Sequence, residues 1–113
     1  MKDFLFIYKS DYSTMQDRTE EEAQAMMNRW MDWLKDIAAQ DKLIDRGNRL
    51  YNSGKIVKGN GIVTNGPYTD IKESIGGYSL IKAESYDEAV EFAKGCPVLF
   101  AGGNVEVREI APM

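Results

Sequence analysis

Apolar positions along the chain change their spacing several times, and each change marks an element. Phe4, Leu5, Phe6, Ile7 and Tyr8 form an aromatic and β-branched run bounded by charge, which predicts a strand over residues 2–9. A polar loop over residues 10–18 leads to Thr19 and Glu22, spaced as a capping box in which the threonine hydroxyl accepts from the N–H three residues on. Ala23, Met26, Met27, Trp30, Trp33, Leu34, Ile37 and Ala38 then recur at three- and four-residue steps. They predict a helix to about residue 40 with one apolar stripe. Core packing is a simpler reading of that stripe than a ligand-binding box. Gly47 breaks the pattern, and residues 49–52 read as a short extended segment.

The middle of the chain reads as turns and strands. Runs at residues 55–58 and 61–64 flank Gly59 and Asn60, predicting a hairpin with a two-residue turn whose residues tolerate positive φ. Asn65-Gly66-Pro67-Tyr68 marks a second sharp turn. The longest strand covers residues 75–84, with Tyr78, Leu80 and Lys82 on one side and Gly77, Ser79, Ile81 and Ala83 on the other. Ser85 and Glu88 form a second capping box, opening a helix through Lys94 that ends on Gly95 at C′, with Pro97 preventing continuation. Val105 and Val107 alternate with Glu106 and Arg108 in a last strand over residues 104–110.

This order predicts an α+β fold in a single domain over residues 1–113, a ferredoxin-like βαββαβ sandwich with an extra β-hairpin. Its two helices cover one sheet face. The other face carries Phe4, Phe6 and Tyr8, or Leu5 and Ile7 in the opposite register, beside Tyr78, Leu80 and Lys82. That set is too apolar for a free surface and too polar for a sealed core. Two copies are therefore expected to pair face to face as a homodimer, open to higher assembly, around a part-polar cavity.

Composition narrows the chemistry. Fourteen basic and eighteen acidic residues give a net charge of −4 with the cations scattered, which argues against nucleic acid and anionic membrane as partners. No window approaches the roughly 20 apolar residues of a membrane span, and the first apolar run is too short for a signal-peptide core, so a cytoplasmic location is expected. The single cysteine, Cys96, fits a reducing compartment and reads as a buried, inert thiol. There is no histidine. Its absence removes Ser-His-Asp and Cys-His catalysis and most zinc or non-haem iron sites. No calcium-loop spacing is present, and neither metal nor cofactor is expected.

The run Val63-Thr64-Asn65-Gly66-Pro67-Tyr68-Thr69-Asp70-Ile71-Lys72-Glu73-Ser74-Ile75-Gly76-Gly77-Tyr78 resembles the signature of the DGPF-motif branch of the YCII-related proteins, approximately VTDGPFAETKEQLGGY. The similarity continues through residues 87–97 and 103–108. It implies a dimeric α/β barrel and no defined activity, although related folds include monooxygenases and isomerases acting on small organic substrates. The His-Asp pair of a few relatives has no counterpart in a chain without histidine. Asn65 stands where the motif has Asp, and Tyr68 where it has Phe, which removes a carboxylate from the motif. Some DGPF proteins are encoded beside sigma factors, which implies a regulatory alternative.

Candidate ligand residues are Tyr8, Asn65, Tyr68, Lys72, Glu73, Tyr78, Glu106 and Arg108, placed on the uncovered face and its rim. Lys72 suits an anionic group and Glu73 a proton, if burial raises its pKa; a solvated charge pair or a dimer salt bridge is the competing reading. Arg108 suits either Glu106 or a ligand carboxylate. Gly76-Gly77 admits a close backbone or ligand, or forms a bulge. No catalytic residue is assigned. Two functions fit: binding of a small organic molecule in the sheet-face cavity, extending to a cofactor-independent enzyme, or a non-enzymatic regulatory or protein-interaction module, for example linked to a sigma factor.

Overall fold

The computed structural model describes residues 1–11, 18–66 and 74–113. Strand β1 (Lys2–Ser10) leads to helix α1 (Glu20–Ala39) and the short strand β2 (Leu43–Asp45). A hairpin of β3 (Gly54–Val57) and β4 (Val63–Gly66) follows, then β5 (Ser74–Ala83), helix α2 (Tyr86–Lys94), a 3-10 turn (Pro97–Ala101) and β6 (Asn104–Glu109). The main sheet has the order β2-β5-β1-β6 with every neighbour antiparallel, and β3-β4 form a separate ribbon. This is the ferredoxin-like α+β arrangement with a hairpin inserted between its second and third strands.

Aromatic packing fixes the register of β1. Phe4, Phe6 and Tyr8 are buried beneath the helices, where Phe4 meets Tyr86, Phe6 meets Trp33, and Tyr8 meets Trp30 edge-on at 4.6 Å. The uncovered face therefore carries Leu5 and Ile7, the second of the two registers open to the sequence. Tyr78 stands opposite Ile7 and Leu80 opposite Leu5, as expected for the long strand. Val105 and Val107 share the helix side with Tyr8 and Phe6, which leaves Glu106 and Arg108 on the uncovered side.

Both helix starts carry the expected hydroxyl caps. Thr19 accepts from Glu22 N at 3.1 Å, and Ser85 from Glu88 N at 3.3 Å. The reciprocal bonds differ. Glu22 receives the Thr19 hydroxyl at 3.3 Å, while Glu88 reaches past Ser85 to accept from Glu84 N at 3.0 Å and from Lys42 Nζ at 2.7 Å.

Several local expectations are corrected. The hairpin has a three-residue loop, because Lys58 pairs with Ile62, and Gly61, at φ +81°, takes the left-handed position instead of Gly59 or Asn60. Asn65 and Gly66 lie in β4 instead of a turn, and Pro67 and Tyr68 lie outside the described residues. The second strand of the main sheet is Leu43–Asp45, earlier than the extended segment over 49–52, of which only Arg49 makes a bridge, to Gly77. Gly95 is right-handed at φ −86°; a Cβ there would lie 3.3 Å from the Trp33 indole, so close packing explains its smallness.

Candidate functional site

Helix α1 does not bury its stripe uniformly. Ile37 is fully buried, whereas Met26 and Trp30 are half-buried and Met27 is 43 % exposed. The sheet beneath this half of the helix offers small residues: Gly77 stands opposite Tyr8, and Ser79 lies two residues further along β5. Bulky side chains above and small ones below leave a cavity of about 570 Å³. Its helix wall is Met26, Met27, Trp30, Met31 and Leu34, and its floor includes Tyr8, Gly76, Gly77 and Ser79. The mouth is lined by Arg18, Arg46, Asn48 and Arg49.

The glycine pair performs both roles open to it. Tyr8 pairs with Gly77 and Lys9 with Ile75, so Gly76 is the extra residue of a bulge. A Cβ on Gly77 would lie 2.7 Å from the Asn48 carbonyl oxygen, so the mouth segment sits directly on it. That segment is held by Tyr78 N donating to Asn48 O and Leu50 N donating to Gly76 O, and by the Ser79 hydroxyl donating to Arg46 O at 2.6 Å.

Tyr8 is the unusual member of the floor. It is only 7 % exposed, and its Oη makes no hydrogen bond of full geometry among the described residues, although the Ser79 hydroxyl, which itself donates to Arg46 O, lies near it. Burial pushes the phenol well above its ordinary range, against a smaller opposing effect of Ser79. It is a neutral donor with an unfilled hydrogen bond, a state that a native interior seldom keeps without a reason. Cys96, also buried, is pushed up to about 12 by loss of solvent and is an inert thiol.

The sequence candidates separate. Tyr8 lines the cavity, but from the helix side of the sheet instead of the uncovered face. Tyr78 borders it as part of the strand, while its side chain shares the uncovered face with Ile7 and its hydroxyl meets Asn48 Nδ2 at 3.3 Å. Glu106 and Arg108 lie on the other face, where Glu106 accepts from Lys9 Nζ at 2.7 Å and Arg108 at 3.2 Å; these cations hold its carboxyl below the ordinary range. Asn65 accepts from Lys55 Nζ at 2.6 Å within the hairpin. Tyr68, Lys72 and Glu73 lie outside the described residues. Among the described residues no group of three His, Cys, Asp or Glu is placed to hold a metal, and no helix is long and apolar enough to cross a membrane.

Sequence reasoning passed over Arg18, Arg46 and Arg49 and read the Met-Trp stripe wholly as core. The available signal was the choice of residue. Methionine at positions 26, 27 and 31 gives an adaptable wall, and Gly-Gly with Ser79 supplies no bulk to fill the space opposite.

The family model for the YCII-related domain matches residues 1–113. The chain belongs to the YCII-related family. No curated protein sequence matches it. Among solved structures it is similar to 5-chloro-2-hydroxyhydroquinone dehydrochlorinase from Burkholderia phenoliruptrix, in complex with 2,5-dihydroxybenzoquinone. The identity is 20 %, the TM-score is 0.52, and the match covers 98 % of this chain and 95 % of that one. At that identity the likeness supports the shared fold of this YCII-related chain and that enzyme.

Proposed function

We propose that this YCII-related protein binds a small planar organic molecule in the cavity between α1 and the sheet, as a cytoplasmic homodimer formed through the uncovered sheet face. The observation that carries the reading is the buried Tyr8 Oη, without a hydrogen-bond partner among the described residues, on the floor of a cavity walled by Trp30 and methionines. The volume lies within the roughly 300–1,000 Å³ of small-molecule sites, and apolar walls with few polar groups are their usual make-up. A flat ring fits between indole and thioether surfaces. A protein of the same fold holds 2,5-dihydroxybenzoquinone, which supports a planar ligand. Since the described lining contains no carboxylate, the cavity offers donors and cations more readily than a base. Titration with 2,5-dihydroxybenzoquinone and 2-naphthol, followed by tryptophan fluorescence, tests it. Saturable quenching is expected for the parent, and calorimetry with the same probes is expected to show that binding is lost in a cavity-filling Leu34→Trp variant; no saturable binding of either compound overturns the reading.

A second reading, a protein-interaction module, is favoured by the hairpin. Val57 is 71 % exposed and Val63 56 % exposed on a two-stranded ribbon, and isolated ribbons of this kind are marginally stable in water. A partner captured by the parent protein and lost from Val57→Lys/Val63→Lys would support it, and equal capture by both would reject it.

A further inference from the structure

The charge of the cavity's described lining is opposite to that of the chain. The protein has a net charge of −4, yet three of its five arginines, Arg18, Arg46 and Arg49, line this cavity, and its described lining contains no Asp or Glu. None of the three forms an ion pair among the described residues, whereas Arg108 pairs with Glu106 on the far face. Like charges gathered at the mouth of an apolar cavity repel one another, and an incoming anion relieves that repulsion. Arginine in particular presents a planar fork of donors that matches a carboxylate. Burial separates the two polar regions: Arg46 and Arg49 are exposed at the mouth, while Tyr8 is enclosed at the floor.

Resting on the small-molecule reading above, we infer that the ligand is a planar aromatic carboxylate bearing a second oxygen. Its carboxylate is met by the mouth arginines, its ring by Trp30 and the methionines, and its far oxygen by the Tyr8 hydroxyl. A neutral phenol serves there because it donates to a hydroxyl or carbonyl oxygen without adding charge to a closed floor. The repulsion among the arginines also explains why the site favours an anion over a neutral ring of equal size, since the apolar wall alone does not distinguish them.

Calorimetry with 6-hydroxy-2-naphthoate, 6-hydroxy-2-naphthamide and 2-naphthoate tests this on the full chain. The hydroxy acid is expected to bind at least about tenfold more tightly than the amide at low salt. That gap should narrow as salt rises, because the mouth is solvent-accessible. Arg46→Gln/Arg49→Gln is expected to close the gap by weakening the acid far more than the amide, which offers the guanidinium forks only a neutral acceptor. Tyr8→Phe is expected to abolish the advantage of the hydroxy acid over 2-naphthoate, with a melting temperature no lower than the parent's, because it removes a buried hydroxyl that lacks a partner among the described residues. Equal binding of acid and amide, or a gap that survives in the arginine variant, overturns the anion assignment and leaves the small-molecule reading standing. An unchanged hydroxyl preference in Tyr8→Phe overturns the floor contact. If none of the three compounds binds, the small-molecule reading itself falls.

Discussion

Among the described glycines, Gly47 has the least room for a side chain. Its φ is +72°, and a Cβ there would lie 1.7 Å from the Tyr78 carbonyl oxygen and 3.0 Å from the Tyr78 ring. Alanine would impose backbone strain and push the mouth segment off β5 together. Gly47→Ala is expected to lower the unfolding free energy by about 2–4 kcal/mol in urea titration. A loss below about 0.5 kcal/mol, the size of an ordinary surface change, would show that residues 46–49 shift freely. The sequence identified Gly47 as a break, but the reason is a contact with a strand 31 residues away, which local pattern does not contain. Tyr8 shows the same limit. Positions 4–8 are apolar throughout, so alternation left both registers open. The choice was made by Trp30 and Trp33, which meet the Tyr8 ring edge-on from the helix.

At the scale of elements, legibility followed local signals. Helix α1 matched its expected span because hydroxyl cap, acidic first turn and apolar period agree. Its relation to the sheet was not legible, since a three-to-four-residue stripe reports which side faces inward and not how far that side is from the strand below. Strand β2 escaped detection because three residues, one of them Asp45, are too few for a period. The cap of α2 carries a long-range bond that the sequence does not reveal: Glu88 joins Lys42, just before β2, to the first turn of the helix. The Lys42 hydrogen bond, aided by Glu84 N, holds the Glu88 carboxyl below its ordinary value of 4.5. A lowered folded pKa means stabilisation that is fully present above the unfolded value and lost as pH falls through the folded one. Glu88→Gln is therefore expected to be less stable than the parent at neutral pH, with the difference closing as pH drops below 4.5. Equal stability of the two proteins at pH 7, read by denaturant titration across pH, would show that solvent screening cancels the bond.

The whole molecule measures 44 × 43 × 19 Å, a slab one sheet and one helix layer thick. Its radius of gyration of 15.4 Å exceeds the about 13 Å of a compact chain of this length, consistent with a projecting ribbon and an uncovered sheet. On that sheet Leu80 and Leu5 form one apolar row and Tyr78 and Ile7 the next, both ending on the charged edge of Arg108 and Glu106. An apolar centre bounded by charge is the make-up of a protein interface, and a twofold axis through such a face brings the same patch onto itself. This face was legible in outline from the count of two helices, although half of its residues were assigned correctly only under the alternative register. The cavity was not legible as lying opposite. That separation makes assembly and ligand binding independently testable. Ile7→Lys places a charge at the centre of the uncovered face without touching the cavity lining. Sedimentation equilibrium is expected to show a dimer for the parent and a monomer for Ile7→Lys, with hydroxynaphthoate affinity within about twofold of the parent's. A variant that stays dimeric would remove the uncovered face from the interface. A variant that dissociates and also loses the ligand would mean that pairing of the sheets holds the floor beneath Tyr8 in place, and that the two faces of this single sheet act together.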